Sequence, residues 1–271
     1  GFVACGKLFS SVFGMPYAGA VALGVVVILA YTLMGGFLAV CTTDVVQGVL
    51  MFVALVAAPI AAVFAAGGLD VVAERIAAAG PTFMDPFAAN SGGPLSAMTL
   101  ISTLAWGLGY FGMPHILVRF MAVRSDKDMG TSRRIAVVWV LIAMAAAVLV
   151  GLVGRAYVSP ALEGSASETV FIKVVEGVFP SFIAGIFLCG ILAATMSTAD
   201  SQLLVTASAI SKDFYKALIR KTASDKEVVL VSRITIFAVA AVGFFMALNP
   251  SLSIFRLVIY AWAGLGPTFW P

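Results

Sequence analysis

Residues 180–211 form an apolar run of membrane length that nonetheless carries a row of oxygen-bearing side chains, FIAGIFLCGILAATMSTADSQLLVTASAI from Phe182 onward. On a helix, Ala194, Ser197, Thr198 and Ser201 stand at i, i+3, i+4 and i+7, which makes one polar stripe on one face. Neutral oxygens in a row suit a small hard cation. Serine and threonine in membrane helices also hydrogen-bond their own backbone or hold neighbouring helices together, and the stripe alone does not choose between the two uses. Asp200 adds a charge beside it. A carboxylate near the centre of a lipid-exposed helix costs roughly 2.5–3.5 kcal/mol, so Asp200 is expected to face protein, water or an ion pathway.

The elements that must hold these groups follow from composition. With 62% hydrophobic and 11% charged residues and a mean hydropathy of +1.09, the chain is excluded from the soluble domains and reads as an all-α integral membrane protein. Charge-free runs at 16–43, 45–69, 95–118, 135–154, 178–199 and 234–255 each approach or exceed the roughly 20 residues a spanning helix needs. None alternates as a β-barrel strand does. Cys5, Cys41 and Cys189 have no metal-like spacing and read as small packing residues. The net charge of +3 is accounted for by membrane orientation, so no nucleic-acid partner is implied.

Lysine and arginine gather in two connections. Arg119, Arg124, Lys127, Arg133 and Arg134 lie in one, and Lys212, Lys216, Arg220, Lys221 and Lys226 in the other. The positive-inside rule places both on the cytoplasmic side. The connections at 81–94 and 159–180 hold Asp85 and Glu163, Glu168, Glu176 against a single Lys173, and are expected outside. Alternation then predicts spans at about 96–120, 134–157, 180–211 and 227–248, preceded by helices at about 17–40 and 44–66 joined by a short inner turn at 41–44. A helix tail at 1–9, a last helix starting near Ser253 and a short outer helix at 70–79 complete the map. Thr42, Thr43 and Asp44 at a helix start would also make an N-cap, and Gly35-Gly36 would allow close approach and a turn.

Four motifs carry a resemblance. YTLMGGFLAVCTTDVVQGVLM from Tyr31, WGLGYFGMPHILVRF from Trp106, ILAATMSTADSQLLV from Ile191 and YAWAGLG from Tyr260 resemble, in order and spacing, the sodium/solute symporter family and its bacterial sodium/proline branch. The resemblance runs over essentially the whole chain. It implies a LeuT-like inverted-repeat helical bundle in a multi-pass transporter of the cytoplasmic (inner) membrane. Residues 1–271 are then one transmembrane transporter domain truncated at both ends, with about six complete membrane helices plus partial first and last ones, and with the N-terminal helices of the full-length chain missing.

By position, the resemblance implies a sodium ion held by the backbone carbonyl of Ala194 and the hydroxyls of Ser197 and Thr198. Neutral oxygens suit a monovalent ion that must bind and leave in each cycle, whereas several carboxylates would hold a divalent ion too firmly. Asp44 and Asp200 fall on the ion pathway; the alternatives are the N-cap for Asp44 and, for Asp200, a helix-end carboxylate paired with a loop arginine. Trp106, Tyr110 and Pro114 match substrate-binding positions on a helix that such folds unwind near mid-membrane. Gly107, Gly109, Gly112 and Pro114 suit that break, and an aromatic wall packs well against a pyrrolidine ring. The implied substrate is L-proline, imported with sodium by a protein whose other partner is the surrounding membrane lipid.

Met113 departs from the glutamine expected in enteric proline carriers, and Arg256 and the terminal GPTFWP depart from the small, apolar pattern expected there. His115 is assigned no role. No catalytic set or P-loop is spaced along the chain, so an enzyme is not expected. Two other readings stay open: a sodium symporter for another solute such as pantothenate, and the membrane sensor domain of a histidine kinase, a module to which this family is also fused.

Overall fold

Helices end where the sequence supplies a stop. In the computed structural model, which describes residues 1–88, 93–249 and 254–265 without the side chains at 35, 36, 38, 39, 111, 255, 256 and 265, α1 (Phe2–Phe13) closes on Gly14 in the left-handed region, φ 63°. Only glycine takes that conformation without strain. There follow α2 (Tyr17–Ala65), α3 (Leu69–Ala77), α4 (Ala97–Gly109), a 3₁₀ turn (Tyr110–Gly112), α5 (Pro114–Met121) and α6 (Asp126–Tyr157). A second 3₁₀ turn (Gly164–Thr169) leads to α7 (Val170–Val178), α8 (Ser181–Ser208), a π-helical extension (Ala209–Ile219), α9 (Asp225–Ala247) and α10 (Ile254–Leu265). Ser96, Ser125 and Ser224 cap α4, α6 and α9 by accepting the N–H three residues on, which satisfies donors that a helix start leaves unpaired.

Among the described residues, five segments are long and apolar enough to cross a membrane: Tyr17–Met34, Val40–Ala65, Asp126–Tyr157, Ser181–Ile219 and Asp225–Ala247. The chain is an all-α membrane protein. One expectation is corrected. The inner turn at 41–44 does not form, because those residues are helical within α2, whose two membrane-length spans are Tyr17–Met34 and Val40–Ala65. Along a straight helix Tyr31 and Thr43 would stand about 18 Å apart, yet their hydroxyls meet, so the axis bends sharply between them. Thr43 Oγ1 also donates to Val40 O at 3.0 Å. Asp44 is accordingly inside a helix rather than at an N-cap. The span expected at 96–120 is two helices joined by the 3₁₀ turn, the break that its glycines and Pro114 suit. The other helices extend the expected bounds by a few residues, mainly α6 and the α8 extension. The short outer helix is α3, and α10 begins at Ile254. Arg256's side chain and the terminal GPTFWP lie outside the described residues.

The described chain divides into two compact units. The first, residues 1–52 and 185–252, packs α1, the N-terminal part of α2, α8 and α9 around Cys5, Ile28, Ala199, Leu203, Ala207, Ile236 and Ala240. Glycines set the close approaches: a Cβ on Gly24 would lie 2.6 Å from Cys5 Cβ, one on Gly6 2.5 Å from Val21, and one on Gly243 2.9 Å from the Phe2 ring. Where lipid gives helices no hydrophobic reason to associate, small residues let backbones approach and gain packing. Beyond α8, the extension is tied to the start of α9: Tyr215 and Arg220 both donate to Glu227, and Lys216 pairs with Asp225 at 3.1 Å.

The second unit comprises residues 53–184 and 253–271. Here α6 carries α7 across Gly154, whose missing Cβ leaves room for Val170, and Tyr157 donates to Gly177 O at 2.9 Å. Arg75 of α3 donates to Ala156 O at 3.2 Å, and Glu168 accepts from the Ile254 N–H at 2.9 Å, which fixes the start of α10. Helix α10 packs on α4 and on the 3₁₀ turn.

Candidate ion and substrate sites

The oxygen stripe of α8 lies in the first unit, and the structure brings its expected ligands onto one turn. Ser197 Oγ lies 3.2 Å, and Thr198 Oγ1 3.1 Å, from Ala194 O, and both donate to it. Three oxygens of two chemical kinds therefore converge. A hydroxyl that gives its proton to a carbonyl keeps its lone pairs, so Ser197 and Thr198 remain acceptors. Ser201, next on the stripe, donates to Ser197 O at 2.8 Å. The back-bonding use of these residues is thus present. It does not exclude ligation, because an arriving cation competes for the same oxygens. A set of neutral oxygens fits sodium's chemistry and lacks the carboxylates a divalent ion would need; among the described residues there is no cluster of three or more His, Cys, Asp or Glu able to hold a metal.

Asp200 is fully buried, 0% exposed. It lies eight residues before the end of α8, so the helix-end reading of this carboxylate is corrected. Ser201 Oγ stands 3.4 Å from its Oδ1. The Tyr31 hydroxyl meets Thr43, the residue before Asp44. Sequence reasoning missed this contact, although Tyr31 opens the YT..GG motif. It also missed Thr195, which donates to Leu192 O and contacts Cys5 Sγ at 3.2 Å, locking α8 to α1 behind the stripe.

The aromatic residues expected around a substrate lie in the second unit. Trp106 is in the last turn of α4, Tyr110 opens the 3₁₀ turn, Met113 is extended at φ −87°, ψ 104°, and Pro114 is the first residue of α5. Proline suits that last place, where its missing N–H costs no helical bond. Tyr110 is 49% exposed, whereas Met113, in place of the expected glutamine, is 1% exposed and packed. His115 is half-buried. The residue not foreseen is Trp262. Its ring is 5.5 Å from Tyr110 at 83° and 6.1 Å from Trp106 at 44°, edge-to-face and tilted contacts that aromatic pairs favour. The YAWAGLG motif held the signal, but nothing in the sequence said which face of α10 meets α4.

Compared with known proteins, residues 1–271 match the sodium:solute symporter family over their whole length. The chain is 44% identical over 272 residues to the osmoregulated proline transporter OpuE of Bacillus subtilis (strain 168), covering 100% of this chain and 54% of that protein. It is 44% identical over 276 residues to the sodium/proline symporter of Escherichia coli (strain K12), again 100% of this chain and 54% of the relative. For the sodium/proline symporter of Staphylococcus aureus the identity is 43% over 277 residues, 100% and 53%. The chain spans about half the length of the curated relatives it matches.

Proposed function

We propose a transport function from the premise that this chain belongs to the sodium:solute symporter family. The whole protein lies in the cytoplasmic membrane and imports L-proline across it together with sodium by alternating access, and residues 1–271 are part of one transmembrane transporter domain with a LeuT-like inverted repeat. The observation that carries this reading is the meeting of Ala194 O, Ser197 Oγ and Thr198 Oγ1 on one turn, in a family defined by sodium symport. These three hold sodium, which is cargo and driving force rather than a resident cofactor. Asp44 and Asp200 lie along its path, where a buried negative charge favours a cation without binding it too firmly. Trp106, Tyr110 and Pro114 take the solute at the break, where ended helices expose backbone groups to a zwitterion. Relatives named as proline transporters and sodium/proline symporters support the choice of solute.

The test is uptake of labelled L-proline by the full-length protein in vesicles, with and without an inward sodium gradient, and with excess unlabelled proline or pantothenate. Sodium-driven accumulation blocked by proline is expected. Accumulation indifferent to sodium, or blocked by pantothenate and not by proline, overturns the reading.

A further inference from the structure

Trp262 carries a polar group that aromatic packing leaves unexplained. Its Nε1 is buried and meets no hydrogen-bond acceptor among the described residues, whereas buried donors are nearly always partnered. The position of the indole is made by Gly109. A Cβ on that residue would lie 2.3 Å from Trp262 Cδ1 and 3.1 Å from Nε1, so any side chain there would displace the ring. The donor thus stands at the junction of α4 with the 3₁₀ turn, beside Tyr110 and Trp106.

We infer that Trp262 is a further substrate-contacting and specificity-determining residue, its indole N–H donating to the carboxylate of the amino-acid substrate, and that Gly109 is the residue that admits it. This rests on the transport reading above and deepens it. The chemistry selects the group recognised: indole N–H donates and accepts nothing. A zwitterionic amino acid offers an ammonium, which also donates, and a carboxylate, which accepts. Only the carboxylate matches the indole, while the ring faces of the same cluster suit the ammonium and the pyrrolidine carbons. A site built on a hydrogen bond rejects ligands that cannot make it, because the buried donor is then left unpaired.

The experiment uses the full-length protein in proteoliposomes and compares L-proline with pyrrolidine, which keeps the ring and the ammonium but has no acceptor for the indole N–H, as competitors of labelled proline. Trp262→Phe keeps a ring and removes the N–H. It should weaken proline by about 10-fold or more while changing pyrrolidine far less, so that the discrimination between them collapses and the sodium requirement persists. Gly109→Ala should give the same collapse by moving the indole. A Trp262→Phe protein that keeps the wild-type ratio of proline to pyrrolidine affinity overturns the inference and leaves the transport reading standing. Loss of sodium-driven proline uptake in the wild type would instead remove the transport reading on which it rests.

Discussion

Removing one hydroxyl from the α8 stripe separates its two uses. In the structure Thr198 Oγ1 does nothing for the helix beyond donating to Ala194 O at 3.1 Å, a carbonyl that Ser197 Oγ also reaches at 3.2 Å. If that is its whole purpose, Thr198→Ala deletes a redundant local bond, costs about 1 kcal/mol of stability at most and leaves the ion response untouched. If the oxygen is a sodium ligand, its loss removes roughly 1–3 kcal/mol of ion binding, or about 5- to 150-fold in apparent sodium affinity. Thr198→Ser keeps the oxygen and should stay near wild type. Because both hydroxyls share one carbonyl, the double variant Ser197→Ala/Thr198→Ala should lose less than the product of the single losses. The assay is initial proline uptake by the full-length protein against sodium concentration. Binding linkage adds an internal check: where sodium strengthens proline binding, a variant that binds sodium weakly must also show weakened proline affinity at low sodium. A well-inserted Thr198→Ala protein with unchanged sodium half-saturation would refute the assignment and return the stripe to back-bonding.

Other consequences can be measured separately. In a background without native cysteines, single cysteines at the exposed positions Lys127 and Thr222 should label from the cytoplasmic side and one at Thr82 from outside; equal labelling of Thr82 and Thr222 from one side would break the loop-charge map. Gly24→Ala places a Cβ 2.6 Å from that of Cys5 and should cost about 1–3 kcal/mol by overpacking, read as a lower melting temperature in detergent. Gly185→Ala, with open space around the added carbon, should be close to neutral in the same melt. Tyr110→Phe divides ring from hydroxyl: because the ring contact with Trp262 persists, a loss in proline affinity of roughly 1 kcal/mol or more assigns a hydrogen bond to the hydroxyl, and a smaller loss assigns packing alone.

What the sequence disclosed and what it withheld divide along the range of the forces involved. The helix break was legible because its causes are local: Gly107, Gly109, Gly112 and Pro114 act on their own backbone within one turn. The oxygen stripe was legible for the same reason, since i, i+3 and i+4 neighbours on one helix meet wherever that helix is placed. The turn at 41–44 was misplaced through a local rule. Threonine and aspartate favour caps, but Thr43 bonds back to Val40 inside a helix, and the chain bends earlier, between Tyr31 and Thr43, whose hydroxyls meet.

Partners distant in sequence were the least accessible. Cys5 meets Thr195 across 190 residues, and Trp262 fills the space over Gly109. In both cases each residue taken alone fits an ordinary packing role. For Gly109 helix breaking was explanation enough, and it concealed a second role: the absence of a Cβ serves α10 as much as it serves the backbone of α4. The two roles make different demands. Breaking the helix tolerates alanine when Gly112 and Pro114 remain, since those residues still end α4 and restart the chain as α5. Admitting the indole does not, because a carbon 2.3 Å from Cδ1 lies well inside contact distance of a rigid ring braced by Tyr110 and Trp106. A glycine that a break alone would leave replaceable is therefore held by the aromatic cluster, and the substitution that tests it moves the ring while the break survives.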